Sequence, residues 1–117
     1  MILSALTRIV DALTPEIEAT LDPREINPPS AWVAGNRAGD LTLSNEPSSI
    51  VADVYLITRD AGTPEAISKL GEMLEIALAQ LAAGGIGVAE IALDEAVTIP
   101  SGGGPLPAYR LSVNTYI

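Results

Sequence analysis

The residues that could carry chemistry are few, and their types narrow that chemistry at once. The chain has 15 acidic side chains, no histidine and no cysteine. Without histidine there is no serine–histidine triad, no imidazole general base and no histidine-based metal centre. Without cysteine there is no thiolate nucleophile and no disulfide framework, so cysteine usage says nothing about compartment. Carboxylates remain. Asp94 and Glu95 are adjacent, and in a strand they point to opposite faces. Such a pair does not close on one glycosidic bond or one metal ion, and it reads as solvated strand surface. Asp53 is different, because apolar residues surround it in "SSIVADVYLITR". A buried catalytic acid and a salt bridge at an interface are both open there, and the salt bridge is favoured. Ser48, Ser49 and Ser101 have no histidine to serve as base.

Two glycine-rich stretches invite comparison with phosphate cradles. A phosphate loop leads from a strand into a helix and ends in a lysine followed by serine or threonine. "SGGGPLP", residues 101–107, has no lysine and precedes a predicted strand. "GGIGVAE", residues 84–90, follows a predicted helix, the reverse of a dinucleotide fingerprint. Neither is a phosphate site. The first is instead expected to join the final two strands, with Pro100 and Pro105 keeping the hairpin ladder from running through the tip.

The elements that position these residues follow from hydrophobic spacing. Leu3, Leu6, Val10, Leu13 and Ile17 recur at helical intervals and predict an amphipathic helix that breaks or kinks at Pro15. "LDPREINPPS" predicts an extended connector. "AWVA" and "LTLS" are short strand candidates, and "GNRAGD", residues 35–40, reads as a turn or loop between them. Residues 48–59 give the first strong strand, with Ile50, Ala52, Val54 and Leu56 on one face and Val51, Asp53, Tyr55 and Ile57 on the other. A second helix starts with Thr63 and Pro64 and ends at Gly84 and Gly85. Its predicted core stripe is Ile67, Leu70, Leu74, Ala77, Leu78 and Leu81, with Ile76 pointing outward. Gly71 lies near that stripe and is expected to let the helix approach a neighbour closely. In "VAEIALDEAVTI", Ile91, Leu93, Val97 and Ile99 share a face that Glu95 interrupts, which predicts a bulge. "AYRLSVNTYI" alternates, with Tyr109, Leu111, Val113 and Ile117 facing a core.

Together these predict one α+β domain over residues 1–117. Its sheet is mostly antiparallel, of about four strands, packed with two helices in the order helix, strands, helix, strand, strand. At 117 residues and 48% hydrophobic content, with no phenylalanine, the core must be aliphatic. The formal charge of −9 argues against binding a phosphate backbone. Arg8 and Asp11 interrupt the apolar start, so neither a signal peptide nor a membrane span is read, and the protein is expected to be soluble and intracellular when made.

This order of elements resembles the tail terminator family of long-tailed bacteriophages with non-contractile tails, also called tail completion or head–tail joining proteins. The matching stretches are the N-terminal amphipathic helix, the proline-containing "NPPSAWV", the strand "SSIVADVYLITR", the capped helix "TPEAISKLGEMLEIALAQL" and the late strand "PAYRLSVNTYI". The resemblance covers nearly the whole chain and is one of pattern and size, since the family has no catalytic signature. It implies a homo-hexameric ring at the head-proximal end of the tail tube. Such a ring ends polymerisation of the tube protein and offers a surface to the head connector or completion protein. It also implies no enzymatic activity and no cofactor, a place in the virion after assembly in the host cytoplasm, and DNA that passes through without specific binding. Tube subunits and head-completion proteins look similar at this level. A small acidic protein-binding or regulatory domain is the alternative outside the virion.

The residues expected to meet a neighbouring subunit are Val51, Asp53, Tyr55, Ile57 and Ile76, four on one strand face and one on the outer side of the second helix. The loop expected to dock on a neighbouring ring is Ser101, Gly102, Gly103, Gly104 and Pro105.

Overall fold

A computed structural model describes residues 2–41, 47–59, 63–100 and 104–116. Helix α1, Ile2–Leu13, is followed by a two-residue strand β1, Ala19–Thr20, and a 3-10 turn, Pro23–Glu25. Strands β2, Ser30–Leu41, and β3, Pro47–Ile57, lead into helix α2, Thr63–Ala83. Strands β4, Gly87–Thr98, and β5, Pro105–Tyr116, complete the chain. The expected α+β class holds, with five strands where about four were expected and the short β1 and 3-10 turn added before β2. The sheet order is β1-β2-β3-β5-β4. All pairings are antiparallel except β1 with β2. In that order β3 is the central strand. Both α-helices pack on one face of the sheet, and among the described residues no α-helix lies against the other.

The core lies between the helices and the sheet. Ile9, Leu13, Val54, Leu56, Leu81, Leu111 and Val113 are fully buried there or nearly so. The predicted inward face of β3, Ile50, Ala52, Val54 and Leu56, is buried throughout. So are Tyr109, Leu111 and Val113 of β5; Ile117 lies outside the described residues.

Both helices are rotated from their predicted stripes. In α1 the buried residues are Ala5, Ile9 and Leu13, while Leu3 is 67% exposed and Leu6 and Val10 sit at the margin of the core. The helix is apolar on so much of its circumference that two overlapping stripes satisfy the same period, and packing selects the second. In α2 the buried line is Ala66, Leu70, Met73, Ala77 and Leu81, and Ile67 is 54% exposed. The predicted break at Pro15 is present. Helix α1 ends at Leu13, and the Ile17 amide donates to the Leu13 carbonyl at 2.8 Å, which returns Ile17 to the core.

Helix α2 ends at the predicted glycines in a Schellman arrangement. The Ile86 amide donates to Leu81 O at 2.9 Å and the Gly85 amide to Ala82 O at 3.0 Å, with Gly85 at φ +73°. The close approach expected at Gly71 is not there, since an added Cβ at that position meets nothing within 4 Å. It occurs at Gly84, where an added Cβ would lie 3.2 Å from Ala12 Cβ, so the tight contact between the two helices is at the end of α2.

The clearest departure is β2. Residues 35–40, expected to be a turn, continue the strand, and a register shift between Gly35 and Arg37 absorbs Asn36. The sequence is rich in turn formers, but the long neighbour β3 supplies hydrogen-bond partners that override local preference. Of "LTLS", Leu41 ends β2, and residues 42–44 lie outside the described residues. The bulge predicted near Glu95 is present between Ala92 and Glu95, and a second lies between Val88 and Glu90. The first shifts the alternation of β4. Ile91 pairs with Leu111 on the helix side, whereas Val97 pairs with Leu106 on the opposite side. The single face expected for Ile91, Leu93, Val97 and Ile99 is therefore divided between the two sides of the sheet.

Candidate interaction surfaces

The open sheet face is built by alternation. In β3, Val51, Asp53, Tyr55 and Ile57 point away from the helices because Ala52, Val54 and Leu56 point towards them. Register then fixes their neighbours. Val51 lies opposite Arg37 and Asn114, Asp53 opposite Ala34 and Ser112, Tyr55 opposite Trp32 and Arg110, and Ile57 opposite Ser30 and Ala108.

One end of this face is closed by a small second cluster. Ile26, from the chain after the 3-10 turn, packs with Ile57, Val97 and Ala108, flanked by Trp32, Tyr55, Ile99 and Leu106. The Trp32 and Tyr55 rings stack, with centroids 5.1 Å apart and planes 22° from parallel. Ile57 is fully buried here. Of the four strand residues expected at a subunit contact, Ile57 and Asp53 are buried within the chain itself, and Val51 and Tyr55 are half-buried.

The middle of the face is polar. Asp53, 9% exposed, accepts a hydrogen bond from Asn36 Nδ2 at 3.0 Å through Oδ2. Its Oδ1 lies 3.6 Å from Arg110 Nη1, an ion pair too long to be a hydrogen bond. Arg110 Nε donates to Glu95 Oε1 at 3.3 Å. The guanidinium thus sits between two carboxylates, and the hydrogen bond to Glu95, aided by the Asp53 charge, raises its pKa further above the ordinary range. Burial, with the Asp53 charge adding to it, pushes the Tyr55 hydroxyl above its usual value as well. Asp53 forms an ion pair, but within the chain, to Arg110, where a salt bridge at an interface was expected. The bulge at residues 92–95 makes it a three-membered network, because it turns Glu95 to the open face.

This arrangement can hold a surface in shape but offers no nucleophile–base pair. Among the described residues, no group of three or more acidic side chains is placed to hold a metal ion. No described helix is long and apolar enough to cross a membrane.

Replacing Arg110 with methionine is expected to lower the unfolding temperature by several degrees, because Asp53 and Glu95 then face each other without a cation. Adding Asp53→Asn should recover part of that loss. Thermal melts of the single and double variants check this, and equal melting points for the wild type and Arg110→Met would show that the network is inert.

The remaining expected contacts lie elsewhere. Ile76, 38% exposed, is on α2, which covers the opposite side of the sheet. The structure therefore separates it from Val51, Asp53 and Tyr55 by the thickness of the domain. Ser101, Gly102 and Gly103 lie outside the described residues. Gly104 has φ +74°, which favours glycine, and Pro105 begins β5. The stretch does connect the final two strands, but pairing reaches further into it than expected. Thr98 lies opposite Pro105, Val97 opposite Leu106 and Ala96 opposite Pro107, so Pro105 stands inside the ladder while Pro100 lies beyond its end.

Two surface features were not singled out from the sequence. One is a cavity of about 290 Å³ between α2 and the β4 bulge, lined by Ile67, Leu70, Leu93 and Tyr109 among others. The other, of about 190 Å³, lies at the β2 bulge beside Ile2 and Arg37. Both sit at bulged strands, and only the bulge near Glu95 had a signal in the sequence.

Comparison with protein families, curated proteins and solved structures finds no match to this chain.

Proposed function

We propose that this chain is a structural virion protein of the tail-terminator kind. Six copies form a ring that caps the head-proximal end of a phage tail tube, ends growth of the tube protein and presents a surface to the head connector. The observation that carries the reading is the one-sided sheet. Two helices cover one face, while the far end of the other bears the half-buried Val51 and the 77% exposed Tyr116, with no helix over them among the described residues. The sheet also ends on a full-length strand, β4. A sheet with an uncovered face and a long free edge is a surface made for its own kind or for a neighbouring ring. The element order that resembles the family adds to this.

Charge fits the same role. Six copies carry a formal charge of −54, six times −9, which repels a passing genome. The loop around Gly104 and Pro105 is a candidate contact to the connector, and Ile76 a candidate contact on the outer side.

Light scattering on the purified protein tests the ring. The expected mass is about 73 kDa, six times 12.1 kDa. A mass that stays at 12.1 kDa at high concentration would instead favour a monomeric acidic binding domain.

A further inference from the structure

The two edges of the sheet differ in a way that says how copies can meet. Strand β1 pairs only with Ala31 and Trp32 of β2. Among the described residues, the outer edge of β2 from Val33 to Leu41 has no strand beside it, and neither has the outer edge of β4. An open edge offers unpaired amides and carbonyls, and the chemistry that satisfies them is another strand. Neither edge is guarded by lysine or by an internal proline, and exposed apolar side chains lie near each. Beside β4 these are its own Ile91 and Leu93, at 37% and 60% exposure, and Ile67 of α2 at 54%, with Leu93 and Ile67 lining the larger cavity. Beside β2 it is Ile2 of α1, at 46%, lining the smaller one.

Charge and direction choose the partner. Strand β4 carries Glu90, Asp94 and Glu95 with no base of its own, Glu95 being paired with Arg110, while the open run of β2 carries Arg37. A twofold contact of β4 with β4 would set acid against acid, with only Glu95 held by a cation. A contact of β4 with β2 does not. Successive neighbours β2, β3, β5 and β4 alternate in direction. A β4 laid beside the β2 of another copy is then antiparallel to it and continues the sheet without a fault.

We infer that the occupant of the β4 edge is the β2 edge of a second copy of this chain, so that subunits join head to tail into one continuous sheet. This rests on the ring reading and supplies its contact. A head-to-tail contact closes into a ring when the rotation per copy divides the circle. The bulges leave short regular runs, including Glu90–Ala92 and Glu95–Thr98, as the segments that pair.

Two exposed double substitutions test it. Ile91→Lys with Leu93→Lys adds two cations to the β4 edge, which would meet the β2 edge that carries Arg37. Arg37→Glu with Ala38→Glu places acids on β2 opposite the acids of β4. Each variant alone is expected to fall about sixfold in mass, to the 12.1 kDa monomer. Mixed in equal amounts they should regain about 73 kDa, six times 12.1 kDa, as an alternating ring in which every contact is matched. Circular dichroism checks the fold. If the lysine pair unfolds the chain, Leu93→Lys alone takes its place. Variants that keep the ring, a mixture that stays monomeric, or a variant that stops at a dimer would each overturn edge pairing while leaving a native ring standing. A native protein that is itself monomeric would overturn the ring, and the contact with it.

Discussion

Replacing Leu56 with alanine is expected to remove about 3 kcal/mol of stability. Leu56 is fully buried on β3, the central strand, and its side chain enters the layer between the sheet and both helices. Its two cross-strand neighbours are Ala31 and Tyr109. Ala31 is too small to reach into the space left behind, and Tyr109 is held in the same core cluster, so the cavity persists. The aliphatic core has no phenylalanine to swing across it. A domain of this size is stable by about 5–15 kcal/mol, so the loss is a large share of the total. Urea unfolding followed by circular dichroism measures it. A change below about 1 kcal/mol would mean that the sheet and helices are packed more loosely than described.

The second large effect is expected at Gly85. Valine there should cost about 2 kcal/mol. The position has φ +73° and open space around a built Cβ, so the cost comes from the backbone and not from a clash. A β-branched residue is poorly tolerated in that region. If the residue leaves it, the two hydrogen bonds that close α2, from Gly85 to Ala82 and from Ile86 to Leu81, are lost together. Ile86 would also leave the core cluster it shares with Leu81. Gly71→Val, in the middle of the same helix with its space also open, is the control and should cost much less, because the backbone there is helical. Equal losses at the two positions would rule out the φ argument.

These two sites also show what a single sequence makes legible. Strand β3, the break at Pro15 and the end of α2 are local matters: a run of alternating apolar residues, a missing amide, a pair of glycines. Each is written within a few positions, and each is found in the structure. Residues 35–40 are the opposite case, because their composition favours a turn and only pairing with β3 makes them strand. The rotation of the helices has the same origin. Period alone admits Leu3 or Ile9 as the inward side, and the sheet beneath selects Ile9. The candidate surfaces divide along that line too. Val51 and Tyr55 were legible from alternation, whereas the Asp53–Arg110 pair joins residues far apart in the chain and depends on the register of β3 with β5. The free edges of β2 and β4 follow from strand order, which no local pattern carries.

The claim that the chain ends tube growth is tested most directly by the length of tail tubes assembled in its presence. Tube subunits of the same virion are polymerised and imaged with and without the purified protein. The account predicts that tubes stop lengthening when the protein is added and that each carries one ring at one end. Tubes that continue to grow at the same rate, with no protein bound at either end, would contradict it.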